Sequence, residues 1–533
     1  MKFGANLEHM QNNFDTPNLT GGSYNFGTLA AFLQNRPSRF GALYPESDTT
    51  RRMRETLIAG YLQDDFRWTG TLTLNLGLRY EMMTIPTEID GKVALLKNLT
   101  DPTVTVGGKI HDSNPTLRNF APRVGVAWDP FGSQTTAVRA GFGVFDVLPF
   151  LYLYETPLNR STPLFLQGVA LNPPAGSFPS DAYSLLGVQN LRTAWVDPNP
   201  PRAYRTQWNL DIQHQFGVWT AEAGYVGARG MNLPLVERNM NTVIPTRVDG
   251  RWVYPSRATS TVLNPNFSAI NTTVTWNSES IYHGLQTVLK RNLSAGLQTQ
   301  AAYTLSKSID TGSSISSVSS GTGYESSFAV ATPLLPEIGR GLSNYDVRHN
   351  FVGSFVWEIP YSSRLTGLTR GLLGGWQFSG VFRAQSGYPF TLALNGDRAG
   401  SKADTTGSGL GQPPDLIVSP ACETLTNPGD PNHYVKTECF AFPADGVLGN
   451  LGRNTLISPG LATLDLVLVK SHRMGPATAQ FRVEMFNALN RANFSTPATT
   501  IFDDRGNLTA NVGVITSTRT SARQMQLGVK FLW

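Results

Sequence analysis

Thr71-Leu72-Thr73-Leu74-Asn75-Leu76-Gly77-Leu78-Arg79-Tyr80 alternates apolar and polar residues without a break. Leu72, Leu74, Leu76, Leu78 and Tyr80 fall on one face, and Thr, Asn, Gly and Arg fall on the other. Successive side chains of a strand point to opposite faces, so this pattern predicts a strand with one apolar and one polar face. Residues 207–216 repeat it with Trp208, Leu210, Ile212 and Phe216, and residues 480–485 repeat it again. Helical periodicity is nearly absent, and Leu29 to Leu33 is a short helix at best. The chain reads as about 16 such strands, most of about 9–14 residues, the length of tilted membrane-crossing strands and not of ordinary globular sheets.

The connections between these strands alternate in length. Short turns are expected at 68–70, 130–134, 216–218, 291–295 and 471–476, with a somewhat longer one at 362–374. Long stretches are expected at 81–120, 146–203, 230–278, 308–345, 395–460 and 490–521. Long structureless loops are uncommon in compact soluble domains. Short turns at one end and long loops at the other are the layout of an antiparallel outer-membrane β-barrel, with the short turns periplasmic and the long loops extracellular. Six of the 10 Trp residues (Trp68, Trp128, Trp219, Trp357, Trp376 and Trp533) then fall at the short-turn end. Indole rings prefer the membrane–water boundary, so the six are expected to form an interface belt there.

Composition narrows the alternatives. The 533 residues are 40% hydrophobic and only 15% charged, with 51 Gly and 34 Pro. Charged residues normally make up about 25%. No run approaches the roughly 18 apolar residues of a membrane helix. The formal charge is +5 and the pI near 9.1. The basic residues are nevertheless scattered, with no footprint for nucleic acid. The N-terminal residues show no hydrophobic signal-peptide core.

The chain closes on Gln524-Met525-Gln526-Leu527-Gly528-Val529-Lys530-Phe531-Leu532-Trp533. Met525, Leu527, Val529, Phe531 and Trp533 share one face. This stretch looks like the C-terminal signal read by the barrel assembly machinery. Residues 61–66 (YLQDDF) followed by 72–81 (LTLNLGLRYE) resemble a hairpin of TonB-dependent outer-membrane receptors. Residues 119–125 (NFAPRVG) and 138–143 (VRAGFG) resemble the Oar-like branch of that family. So do 282–286 (YHGLQ), 303–308 (YTLSKS), 346–351 (DVRHNF), 375–380 (GWQFSG) and 486–490 (FNALN), in that order.

The resemblance implies a 22-stranded barrel filled by an N-terminal plug. On that reading residues 1–533 form the barrel domain, with N-terminal strands, plug and signal peptide absent. The partners it implies are outer-membrane lipid, the TonB–ExbB–ExbD complex acting through a plug, and the assembly machinery. A small-molecule or polymer substrate, unidentified, completes the set. The expected function is substrate capture by extracellular loops and energised uptake. A passive porin-like channel and a surface adhesion protein are the alternatives.

Candidate sites follow from this layout. The loop aromatics Tyr152, Tyr154, Trp195, Trp252, Tyr254, Tyr324 and Tyr345 are candidate substrate contacts, because loops on a rigid scaffold carry binding. Arg139, Asp211, Glu222, Arg482 and Glu484 are expected to face the lumen or a plug. Cys422 and Cys439, the two cysteines, lie in one long loop of an oxidising compartment and are expected to form a disulfide. Metal binding, with His433 as a lone further ligand, is the rival. No cofactor is expected. None of the seven His forms a metal or catalytic motif, and a pairing of Ser306 with His349 is too thin to read as an enzyme site.

Overall fold

The computed structural model describes residues 1–15, 19–187, 191–313, 335–360, 366–402 and 411–533. Fourteen long strands, all antiparallel to their neighbours, build one sheet among the described residues. They are β1 Lys2–Asp15, β2 Thr50–Arg67, β3 Leu72–Met83, β4 Phe120–Trp128, β5 Thr136–Asp146, β6 Tyr204–Phe216 and β7 Trp219–Asn239. They continue as β8 Ala269–Ser294, β9 Leu297–Asp310, β10 His349–Glu358, β11 Trp376–Gln385, β12 Leu461–Met474, β13 Ala477–Phe486 and β14 Gln524–Leu532. Each pairs with the next in chain order. Three two-residue strands, Thr87–Glu88, Arg192–Thr193 and Gly341–Leu342, join the same sheet, so the expected number of about 16 strands matches the sheet and not its long members alone.

The register carries the sequence alternation across the whole wall. Phe3 lies opposite Leu62, which lies opposite Leu78. Leu210, Tyr225, Leu285, Leu305 and His349 form one continuous row across five strands. Leu466, Met485 and Met525 form another. These rows make an apolar face that stays exposed: Phe3 is 79%, Leu210 49% and Leu527 79% accessible. A water-soluble sheet would bury such a face, whereas a membrane wall turns it to hydrocarbon. The opposite face is polar. Gly77 lies opposite Arg123, Arg139 opposite Asp211, and Gln213 opposite Glu222.

The short turns hold because their residues accept left-handed backbone. Between β8 and β9 the two linking residues, Ala295 and Gly296, have φ of 50° and 76°. Two successive positive φ values match the right-handed twist of the flanking strands. A side chain at Gly296 would also run into the carbonyl of Glu358.

The long-loop end departs from the sequence expectation. β7 and β8 continue well past the points where loops were expected at residues 230 and 278, with register shifts between Gly230 and Leu235. The expected helix appears at Leu29–Leu33, and two unexpected ones form at Tyr152–Asn159 and Gly367–Leu373. No helix among the described residues is long and apolar enough to cross a membrane. The buried cores lie in the loops. Phe390, Leu392, Tyr434, Phe440 and Ile501 pack the described parts of residues 386–460 against the loop between β13 and β14. A second core joins Met53 of β2, Leu153, Tyr154 and Leu158 of the helix Tyr152–Asn159, and Val274 and Trp276 of β8.

Candidate functional site: the loop cap and the polar wall

The cap begins with β2. A strand needs about 9–11 residues to cross a membrane, and β2 has 18. Counted from its short-turn end, the crossing leaves Arg51 and Met53 above it, and both are fully buried. Arg51 donates from Nε to the carbonyl of Leu158 at 3.0 Å and from Nη1 to the carbonyls of Asp48 and Thr50, each at 2.8 Å. The first of these bonds satisfies a carbonyl at the C-terminal end of the helix, where a cation is favourable. The same helix packs on Trp276 of β8, six strands further along the wall. The helix Tyr152–Asn159 therefore ties distant strands together at the long-loop end.

His111 sits at the centre of this packing. Its Nδ1 lies 2.8 Å from the carbonyl of Asp197, so Nδ1 carries the proton. Its Nε2 then accepts from the Tyr154 hydroxyl at 2.8 Å. Its ring meets Trp276 edge-on, with centroids 5.4 Å apart. Burial pushes the His111 pKa down to about 4, against a weaker upward pull from the Asp197 carbonyl. Burial, with a contribution from Glu55, pushes the Tyr154 phenol well above its ordinary value. Both rings stay neutral, as a dry apolar setting requires.

A second buried network pins the loop 386–460. Arg453 and Asp310, each 1% exposed at the side chain, form an ion pair. Arg453 also donates to the carbonyls of Gly339, at 2.6 Å, and Asp310, at 2.8 Å. Asn454 donates to the carbonyl of Leu342 at 2.7 Å. The pair is buried and hydrogen-bonded on several sides, the condition under which a buried charge is tolerated. Arg453 and Asp310 carry no sequence motif and escaped the sequence reading.

The candidate loop aromatics separate into two kinds. Tyr152 and Tyr345 are exposed, at 53% and 48%. Trp195 donates its indole N–H to the carbonyl of Lys97 at 3.3 Å and packs beside Met240 and Ile270. Trp252 is partly buried, with the Arg247 guanidinium 5.9 Å from its ring centre. Tyr154 and Tyr254 are corrections. They are 0% and 4% exposed and pack loop cores, so neither offers a face to a ligand in this structure. Tyr324 lies outside the described residues.

The candidate charges share the polar face. Arg139 donates to Gln213 Oε1 at 3.0 Å, Asp211 accepts from Asn209, and Arg482 pairs with Glu484 at 2.8 Å. Glu222 lies opposite Gln213. A recess of about 260 Å³ opens among Tyr61, Gln63, Gly77, Arg79 and Arg123. The Arg123 guanidinium lies 4.5 Å from the centre of the Phe145 ring.

Trp128, Trp219, Trp357 and Trp376 stand at strand ends on the short-turn side, with Trp68 in the adjoining turn and Trp533 at the chain end. Lys470 lies over Trp376, 5.4 Å from the ring centre. Met525, Leu527, Val529 and Phe531 lie opposite Met485, Val483, Phe481 and Ala479 on the apolar face. Cys422 and Cys439 are bonded to each other, with Cα atoms 5.5 Å apart. His433 turns to Asp430 instead, at 3.2 Å. No cluster of three or more metal-ligating side chains occurs among the described residues. Ser306 and His349 do not meet. Ser306 lies on the polar face and donates to the carbonyl of Val347, while His349 lies on the apolar face beside Leu305.

Residues 1–526 match the family model described as an outer membrane beta barrel domain. Among solved structures, the outer membrane transporter YddB from Escherichia coli matches 99% of this chain and 50% of its own, at 13% identity and a TM-score of 0.50. The FrpB iron transporter from Neisseria meningitidis (F5-1 variant) matches 99% of this chain and 53% of its own, at 12% identity and a TM-score of 0.44. The chain thus spans about half the length of these transporters. No curated protein matches it at a significant level.

Proposed function

The chain belongs to the outer-membrane β-barrel family, and from that membership we propose that it is the wall and outer cap of a TonB-dependent receptor that captures a substrate and takes it up. The observation that carries this reading is the cap. The helix Tyr152–Asn159 packs against β2 and β8 together, through Met53 and Trp276. A passive pore works best with an open mouth, and a receptor works with folded loops that contact cargo and can yield.

The division of labour follows from the two faces. The apolar face holds the wall in lipid. The polar face, with Arg139, Asp211, Glu222, Arg482 and Glu484, offers hydrogen bonds and charge to a plug or to passing solute. The exposed Tyr152 and Tyr345 are the loop aromatics placed to meet a substrate. The TonB–ExbB–ExbD complex would supply energy through a plug domain. The exposed strand β14 would serve the assembly machinery, and the six tryptophans would sit at the periplasmic boundary of the outer membrane.

The test uses the full-length protein in outer membranes. Cells expressing it are incubated with a metabolite mixture, and depletion is followed by mass spectrometry with and without a protonophore. Depletion that stops on de-energising supports the receptor. Depletion that continues, with steady conductance in planar bilayers, makes it a porin. Surface binding with no depletion in either condition makes it an adhesin.

A further inference from the structure

Two tyrosine–histidine pairs recur with the same geometry on neighbouring strands of the apolar face. Tyr225 of β7 holds His283 of β8, its hydroxyl 2.7 Å from Nδ1. Tyr303 of β9 holds His349 of β10, its hydroxyl 2.8 Å from Nδ1. In each pair the rings stack, at 16° and 25°. In each the histidine sits one rung beyond the tyrosine towards the long loops, because His283 lies opposite Gly227 and His349 opposite Leu305. Lys307 of β9 lies directly opposite His283 and one rung above the Leu305–His349 pair, so it stands between the two histidines. All three side chains are exposed. Among the described residues neither Nε2 has a hydrogen-bond partner, and Lys307 has no ion pair.

The height of this row is set by the register. Arg291, paired with Trp219, marks the short-turn end of β8. Thr287, Leu285 and Leu289 lie between it and His283 on the same face. Eight residues at about 3.3 Å each give about 26 Å along the strand. A tilt of about 35–45° reduces that to about 20 Å of depth, most of the way across the roughly 25 Å apolar band of an outer-membrane barrel. His283 and Lys307 therefore lie near the long-loop edge of the hydrocarbon, with His349 one rung below them, within reach of the headgroups for side chains that extend towards water. The acids nearby are engaged: Glu279 pairs with Arg229 at 3.8 Å, and the buried Asp346 accepts from the Ser308 N–H at 2.6 Å.

We propose that His283, Lys307 and His349 form a binding site for the phosphate of a membrane lipid headgroup in the leaflet at the long-loop end. Each tyrosine hydroxyl donates to Nδ1, which fixes the tautomer with its proton on Nε2. Two Nε2–H donors then flank one ammonium across three adjacent strands, matching the several oxygens of a phosphate. The apolar rungs below hold the acyl chains of the same lipid. The site rests on membership in the barrel family and not on transport, so it stands even if the uptake assay identifies a porin.

The test reconstitutes the protein in zwitterionic lipid doped with a phosphorylated glycolipid, or with the same glycolipid dephosphorylated. Retained lipid is counted by native mass spectrometry. The phosphorylated form is expected to be retained preferentially. Lys307→Gln is expected to weaken retention about fivefold, the value of one cation near a charged headgroup, and His283→Gln with His349→Gln to weaken it further. Lys470→Gln, at the short-turn end, is expected to leave retention unchanged. Heat-modifiable gel migration confirms that each variant is folded. Equal retention of the dephosphorylated lipid would overturn the proposal. So would displacement of the lipid by millimolar inorganic phosphate alone, which would make the row a site for free anions.

Discussion

Arg51 and Leu158 are separated by 107 positions in the chain, yet the Arg51 guanidinium donates to the Leu158 carbonyl at 3.0 Å in a fully buried setting. That bond joins the barrel wall to the end of the cap helix. Arg51→Ala removes a charge-assisted bond of about 1.5–3 kcal/mol and leaves the carbonyl unpaired. The expected result is faster amide hydrogen exchange and proteolysis within 147–203, with strands β9 to β14 unchanged. Uniform loosening of the whole sheet would show that the contact does not act locally.

His111 makes the cap sensitive to acid. Its folded pKa of about 4 lies below the ordinary value of 6.5. The opened form therefore takes up a proton first as the pH falls. The stabilisation is complete above about pH 6.5, declines below it, and is gone once the pH has passed through 4. The full difference is on the order of 3 kcal/mol. Cap exchange rates, corrected at each pH for the intrinsic rate of amide exchange, are expected to rise from pH 7.5 to 4 in the native protein. In His111→Gln they are expected to be higher at neutral pH and nearly flat across the range.

Gly387 stands at the neck of the loop 386–460. A β-carbon there would overlap the carbonyl oxygen and carbon of Ser458, which are backbone atoms that cannot rotate away. Gly387→Ala is expected to cost about 1–3 kcal/mol, the usual penalty for overpacking. Thiol labelling under mild reductant reads it, because Cys439 is buried in the core this neck closes. The variant should label faster than native protein.

Arg453→Met leaves the buried Asp310 without its partner, and breaking such a pair costs about 3–5 kcal/mol. Adding Asp310→Leu removes the stranded charge. The double variant is expected to recover much of the loss in thermal midpoint, and a double-mutant cycle measures the coupling. If the double variant is as unstable as the two single losses added together, the two residues are not energetically joined.

The alternation in 71–80, repeated along the chain on strands of membrane-crossing length between alternating short turns and long loops, was enough to place a lipid-facing wall, because a period of two puts all apolar side chains on one face. The register of Leu210 with Tyr225 and Leu285 is the same information carried sideways. The cap was hidden for the opposite reason. Met53, Tyr154 and Trp276 come from three distant segments, and none has a periodic neighbourhood that announces burial. The helix Tyr152–Asn159 contains Pro157 and has no side-chain N-cap bond, so its local signals favour a loop and packing supplies the rest. Tyr154 and Tyr254 are loop aromatics in the sequence and core residues in the fold, because a loop segment says nothing about what folds over it. The Tyr225–His283 and Tyr303–His349 pairs had a signal, the two-residue offset of tyrosine and histidine on adjoining strands, but only once the register was known.

The separation between an exposed apolar wall and loops with their own buried cores means that the molecule is stabilised by two different solvents. In the cap, water drives apolar groups together, so its stability follows the area that Met53, Tyr154 and Trp276 hide. In the wall, apolar groups gain nothing from meeting one another, because lipid is equally oily. There the strands stay paired because an unpaired backbone amide in hydrocarbon costs several kcal/mol. Urea weakens the first kind of cohesion and scarcely reaches the second, so the cap can melt and re-form on a frame that never lets go.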